Sequence, residues 1–391
     1  MSSEMAFVVD ALTAAGGAEK VLLAALELFP GTLVYTLAYN PAPFASTILT
    51  KSPVTTSFID RLPLAHRNYR NYLPLLPRAI QQFDLSRYQI IVSFSYAVAH
   101  GVRVAPGQVH LAYTHTPMRY AWRNAPLPGA LSRSKRLAGW IMAAFRRWDA
   151  AAISGVDRFG AISNFVADLI WRVYQRPSRV IYPPVEVERF RPLAWRGRYY
   201  VSLSRLVAHK RIDLIVQAFS ALKLPLVVVG EGPEEARLRK LAGLNVTFAG
   251  FLDDSAVAQL LGEARGFVHA SEEDFGIAIV EAQAAGCPVI AYGQGAALET
   301  VVEGQTGLFF SEQSSASLIE AVQRFERQAD SFCPEELAAR ARRFNRARFR
   351  AEFSEFVCGD GTPETESGAS ASAWSLPGPV PVWFPERAGP V

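Results

Sequence analysis

Short apolar runs alternate with helical periodicity along most of the chain. AFVVD (6–10), TLVYTLA (32–38), YQIIVSF (88–94), HLAYTH (110–115), DRFGAIS (157–163) and RVIYPPV (179–185) have the length and the β-branched and aromatic content of buried strands. A 3.6-residue period from about Ala18 to Leu28 predicts a helix after the first run, and Asn164 is a candidate N-cap for the helix after DRFGAIS. Pro183-Pro184 and a polar, Arg-rich stretch to about Arg198 predict a linker. The rhythm then restarts with YYVSLS, LPLVVVG, NVTFAG, RGFVHA and CPVIAY, separated by helical stretches. Such repetition predicts an α/β fold of parallel sheets covered on both faces. Two doubly wound, Rossmann-like domains are expected, 1–185 and 186–333, facing across a cleft at the carboxyl ends of their strands. Residues 334–357 have the pattern of one basic helix. Residues 358–391 are rich in Gly, Ser, Thr, Pro and Glu without periodicity, so disorder is expected; Trp374, Trp383 and Phe384 within them have no account.

Composition narrows the function classes. The 391 residues are 50% hydrophobic and 19% charged, enough for two sizeable cores. Three cysteines, Cys287, Cys333 and Cys358, show neither metal-ligand spacing nor a disulfide framework. MSSEMAFVVDAL lacks a basic segment followed by an apolar one, and no run of 18 apolar residues exists, so neither a secretory signal nor a membrane span is expected. A cytoplasmic location follows as an expectation. The net charge of +4 is uneven: residues 1–190 carry 20 Lys/Arg against 11 Asp/Glu, and residues 191–391 carry 20 against 25. The front half is therefore the part expected to meet an anionic partner, against the plainer reading of scattered solvated charge.

The chemistry-bearing positions fall in the loops after strands. In SEEDFGIAIVEAQAAGCPVIA (271–291), Glu273 precedes a Phe-Gly turn and Glu281 stands alone in an apolar helix, Ile277–Ala285. A helix apolar all round is buried, and a buried carboxylate needs partners; the paired hydroxyls of a sugar or ribose would supply them. Glu273 at a helix entrance has a simpler dipole role as its alternative. Gly16 and Gly17 follow the first strand and open a helix, where free N–H groups can meet a phosphate. A complete GxGxxG is absent, so a nicotinamide fingerprint is not supported. Arg205, just past YYVSL, and Lys210, near the next helix start, are two cations able to hold a diphosphate. His115 ends the strand HLAYT, facing the expected cleft. Arg133, Lys135, Arg136, Arg146 and Arg147 are interleaved with Trp140, Ile141, Phe145 and Trp148 in 131–153, which suits an anionic membrane surface or an ordinary packed helix.

Taken together, GGAEKVL, HTPMRYAW, VIYPPVE, SRLVAHKRID, EEDFGIAIVEAQAAG and AYGQGAALETV resemble the retaining glycosyltransferases of family 4, and within them bacterial mannosyltransferases of O-antigen and exopolysaccharide assembly. The likeness covers about 5–355. It implies a GT-B fold whose final helix, 334–357, crosses back to the first domain. It implies that Arg205 and Lys210 bind the nucleotide diphosphate, Glu281 the ribose hydroxyls and Glu273 the hydroxyls of the transferred sugar. Backbone N–H groups at Phe275, Gly276 and Ile277 would line that sugar, Gly16 and Gly17 would touch the diphosphate, His115 would lie at the reaction centre and Phe251 near the base. It implies a metal-independent retaining transfer without a cofactor, the donor being a nucleotide sugar such as GDP-mannose. The acceptor would be a glycan or lipid-linked glycan at an anionic membrane surface; no nucleic acid is expected. The chain departs from the family pattern at Val9 and Ala11, where a His-Asp-Trp is usual around Asp10, and at Arg123, where an acid is usual after the Trp. Another GT-B nucleotide-sugar enzyme, such as an epimerase, and a non-catalytic nucleotide-sugar-binding protein are the competing readings.

Overall fold

The computed structural model describes residues 4–123, 135–193 and 197–359. The 358–391 tail, apart from its first two residues, and the start of the 131–153 segment lie outside the described residues.

Two parallel sheets organise the described chain. The first is seven-stranded, in the order β3-β2-β1-β4-β5-β6-β7. Its strands are β1 (Met5–Val9), β2 (Leu33–Thr36), β3 (Val54–Thr56), β4 (Ile90–Ser95), β5 (Val109–Thr114), β6 (Arg158–Ala161) and β7 (Ser178–Val180). The second is six-stranded, in the order β10-β9-β8-β11-β12-β13. It comprises β8 (Tyr200–Leu203), β9 (Leu226–Val229), β10 (Val246–Gly250), β11 (Gly266–His269), β12 (Val289–Tyr292) and β13 (Gly307–Phe310). Strands β1 and β11 are buried along their whole length, which accounts for runs that do not alternate.

The strand order reverses direction at β1 in the first sheet and at β8 in the second. Loops on the two sides of such a switch point diverge and leave a crevice beyond the carboxyl ends of the strands. Gly16, Arg205 and the 271–276 loop all follow strands that flank a switch point, and His115 follows β5, one strand further along.

The 334–357 segment is two helices rather than one. Helix Pro334–Ala341 and a short 3-10 turn end at Asn345, and a second helix runs Arg346–Cys358. Asn345 is extended, at φ −65° and ψ 164°, and its Oδ1 accepts the Arg348 N–H at 2.8 Å, so an N-cap starts the second helix. The first helix packs on the Glu281-bearing helix. The second lays Phe349 and Phe353 on Tyr113, and Phe353 stacks with Phe94, so it belongs to the first sheet's core. Asn345 also forms a bridge with Val185, and the Val185 N–H donates to Phe344 O at 2.9 Å. The helix after β6 is capped by Ser163, whose Oγ accepts the Val166 N–H at 3.0 Å, and not by Asn164. No helix of the described residues is long and apolar enough to cross a membrane.

Candidate functional site

Glu273 follows β11 and is the hub of the second sheet's loops. Its Oε1 accepts from Lys210 Nζ at 2.5 Å, from Ser271 Oγ at 2.6 Å and contacts His269 Nε2 at 2.8 Å. Burial alone would raise this carboxyl; the Lys210 ammonium and His269 instead hold it well below the usual carboxylate range. Its hydrogen-bond partners are thus side chains. The Glu273 carbonyl is also tied down, by the Ala296 N–H at 2.9 Å.

Lys210 closes a 3-10 turn, Ala208–Lys210, between β8 and helix Ile212–Leu222. Burial lowers the neighbouring His209 to about 4, helped by the charges of Lys210, Arg119 and Arg205. One imidazole thus feels three guanidinium or ammonium groups from both domains, the electrostatic setting of an anion site. Arg205 is exposed just beyond β8 and makes no ion pair among the described residues. It also acts on Glu19, whose carboxyl burial raises to about 7.

Glu281 is 5% exposed in helix Ile277–Ala284, as the apolar helix demanded. It is not, however, without partners in the protein. Arg189 Nη2 reaches Oε1 at 2.9 Å and Lys20 Nζ reaches the same oxygen at 3.3 Å. No donor to Oε2 is seen among the described residues. Gly276, the N-cap of this helix, has φ +85°, a conformation glycine adopts without strain. Beyond it, the N–H groups of Gly276 and Ile277 lie at the helix start, which leaves such groups without intrahelical partners. The Phe275 ring turns away, into Tyr182 and Phe344 at 5.8 and 5.3 Å.

Gly16 and Gly17 open the helix Gly17–Leu28 opposite that point. A Cβ on Gly17 would stand 2.9 Å from Ile277 Cδ1, so the two helix starts lie close and a side chain there would make the Ile277 side chain shift. Phe251 is not brought into this cluster: it follows edge strand β10 and is 77% exposed, two strands from β8.

His115 is buried beyond β5, its N–H accepted by Ser95 O at 2.8 Å, and its Nε2 has no hydrogen-bond partner among the described residues. Burial lowers it to about 4, so the imidazole is neutral at pH 7. It lines a water-sized cavity of ≈ 10 Å³ with Val9, Ala11, Glu19 and Tyr96. The two departures at positions 9 and 11 are thus small residues around the space beside His115.

The third departure, Arg123, joins the domains. It pairs with Glu272, and its Nη1 lies 2.5 Å from Asp274 Oδ1, while Arg119 pairs with Asp274 as well. Glu299 caps the helix after β6 from the opposite side, accepting the Asn164 and Phe165 N–H groups at 2.9 and 2.8 Å. Sequence reasoning assigned no role to Lys20, Arg119, Arg189, His269 or Asp274. His269 ends β11 as His115 follows β5, so the same positional signal was available for it. The others become visible only through partners remote in sequence.

The comparisons with known proteins agree with this architecture. The model described as Glycosyltransferase Family 4 matches residues 15–189, and the one described as Glycosyl transferases group 1 matches residues 188–348. The chain belongs to the family 4, group 1 glycosyltransferases. Over 218 residues it is 33% identical to a GDP-mannose-dependent alpha-(1-6)-phosphatidylinositol monomannoside mannosyltransferase of Mycobacterium tuberculosis, covering 47% of this chain and 56% of that protein. Over 189 residues it is 28% identical to O-antigen chain mannosyltransferase C of Escherichia coli, covering 44% and 51%. The chain thus spans about half the length of the curated relatives it matches. Among solved structures, Anabaena HepE in complex with UDP-glucose superposes with a TM-score of 0.69 at 18% identity, over 90% of this chain and 99% of that one. Sucrose-phosphate synthase from Thermosynechococcus elongatus gives 0.68 at 19%, over 90% and 97%. The fold of this chain is GT-B.

Proposed function

We propose that this chain is a retaining glycosyltransferase that moves mannose from GDP-mannose to a lipid-linked or polysaccharide acceptor of cell-surface glycan assembly. The observation that carries the reading is the meeting of Lys210 and Glu273 with Glu281 and the Gly16-Gly17 turn where the two domains touch, with Arg205 close enough for its charge to act on Glu19 and His209. Arg205 and Lys210 hold the diphosphate, Glu281 the ribose and Glu273 the sugar hydroxyls. As the sugar departs, negative charge grows on the diphosphate and positive charge on the anomeric carbon. Fixed cations aimed at the first are the largest electrostatic contribution, on the order of 3–4 kcal/mol for one donor group. They do so without a metal ion. Neutral His115 offers a nitrogen to a sugar hydroxyl at the reaction centre. Closure of the two domains on the donor excludes water in this reading, which limits hydrolysis of the donor. Likeness to the two mannosyltransferases supports mannose, and the GDP-mannose dependence of the Mycobacterium tuberculosis one supports GDP.

The acceptor side supports a membrane surface. Trp140 is 81% exposed on helix Lys135–Ala152, and Arg136, Trp140 and Arg147 share one face by the 3.6 period.

The test is thermal shift and turnover against GDP-, UDP-, ADP- and dTDP-sugars with a polyprenyl-diphosphate-linked glycan. A rise and transfer with GDP-mannose is expected. A response to another base discards the donor assignment, and binding without transfer to any acceptor discards the catalytic one.

A further inference from the structure

Lys20 is a cation in an unfavourable place. It lies in the first turn of helix Gly17–Leu28, where the helix dipole repels positive charge. Among the described residues its one ion pair is with Glu281, 261 positions away and in the other domain. Glu281 does not need it for neutrality, because Arg189 holds the same oxygen more closely. The two cations differ in freedom. Arg189 is 18% exposed and anchored by a second acid, Asp254, at 2.6 Å; the Lys20 side chain is 40% exposed with no second acid among the described residues. The redundant cation is therefore the one able to leave. Its four-carbon stem ends in a point charge with three donors, suited to a phosphate approached from any side. Gly17, three residues before Lys20, lies close to Ile277, and Lys20 Nζ reaches Glu281 on the same second-domain helix, so Lys20 stands where the two helices approach each other.

We propose that Lys20 is a phosphate ligand supplied by the first domain, and that it exchanges partners when a nucleoside diphosphate binds. The ribose hydroxyls take the Glu281 carboxylate, and the released ammonium turns to the diphosphate. This rests on Glu281 being the ribose-binding residue. The exchange makes nucleotide binding itself draw the first domain's helix onto the phosphates held by Arg205 and Lys210 in the second.

Calorimetric titration with GDP and with guanosine tests it, on the full chain and on Lys20→Gln and Lys20→Arg. In Lys20→Gln, GDP affinity is expected to fall at least tenfold, while guanosine binds as well as before or better, because Glu281 has lost a competitor. Lys20→Arg should recover most of the GDP affinity. A GDP affinity within twofold of the parent in Lys20→Gln overturns the proposal. So does an equal loss for GDP and guanosine, which would make Lys20 a support for Glu281 alone. Should the unaltered chain bind neither ligand and no other nucleotide, the donor-site reading falls, and this inference with it.

Discussion

Buried carboxylates are satisfied in two different ways in the two halves of this molecule. Asp10, just past β1, is fully buried and bound only by backbone: Oδ2 accepts the Tyr96 and Ala97 N–H groups at 2.7 and 2.9 Å, and Oδ1 those of Val98 and Ala99 at 2.6 and 2.9 Å. Glu273 and Glu281, in the second half, are bound by side chains: Lys210, His269 and Ser271 for one, Lys20 and the anchored Arg189 for the other. Backbone amides of a packed loop have no other place to go, so Asp10 is a rivet between β1 and the turn after β4. A lysine on its stem can yield its acid to a ligand's hydroxyl and turn elsewhere. A largely buried carboxylate thus marks structure in one case and a candidate site in the other, and the partner type separates them.

The contrast can be broken at several points. Asp10→Ala orphans four buried N–H groups worth about 1–3 kcal/mol each. The expected loss in urea unfolding is about 4 kcal/mol or more. A loss below about 1 kcal/mol would place Asp10 with the exchangeable acids. Lys210→Ala should lower turnover by roughly 10²–10³-fold while moving the melting point by only a few degrees; an unchanged rate removes Lys210 from the site. Glu281→Gln keeps the shape and removes the charge. Nucleotide affinity should fall about tenfold, or ~1.4 kcal/mol, with a smaller loss of stability because Arg189 retains Asp254. Collapse of the fold with intact affinity would move Glu281 to the rivet class.

Acid titration separates Glu273 from Asp10 by sign. Glu273 is held well below its ordinary range, so between that range and its folded value the unfolded chain binds more protons. Its contribution is complete above the ordinary glutamate pKa and drains away as pH falls below it. Burial raises Asp10 against the pull of its N–H donors, so its titration has the opposite slope, favouring the folded state at lower pH. Glu273→Gln should therefore flatten part of the acid limb of melting point against pH; an unaltered limb would contradict the Lys210–Glu273 pairing. The smallest effect is expected for Arg123→Asp, which sets a third acid against Glu272 and Asp274. A loss of about 1 kcal/mol at low salt that fades in 1 M salt is expected; a loss insensitive to salt would mean packing, such as the Arg123–Phe165 contact, rather than charge.

Legibility followed the range of the interaction. The strand runs and the apolar helix around Glu281 were readable because burial of a strand or helix imprints a local period. The break at Asn345 was missed because a single capping residue interrupts a basic pattern without altering its period. Ser163, rather than Asn164, caps its helix; both residue types cap well, and their neighbours in space make the choice, since Glu299 takes up the Asn164 N–H. The partners of Glu281 lie 92 and 261 residues away, and no local pattern encodes such a pairing.

By itself, the sequence determined two parallel-sheet domains, the loops at their strand ends and a short set of charged residues in them, because periodicity and residue type are local properties. Only the tertiary structure decided which acid meets which cation, that Arg123 ties the domains together through Glu272 and Asp274, and that Glu281 is shared between Arg189 and Lys20. Those outcomes depend on where the switch points of two sheets bring distant loops, and electrostatic energy depends on that separation rather than on distance along the chain.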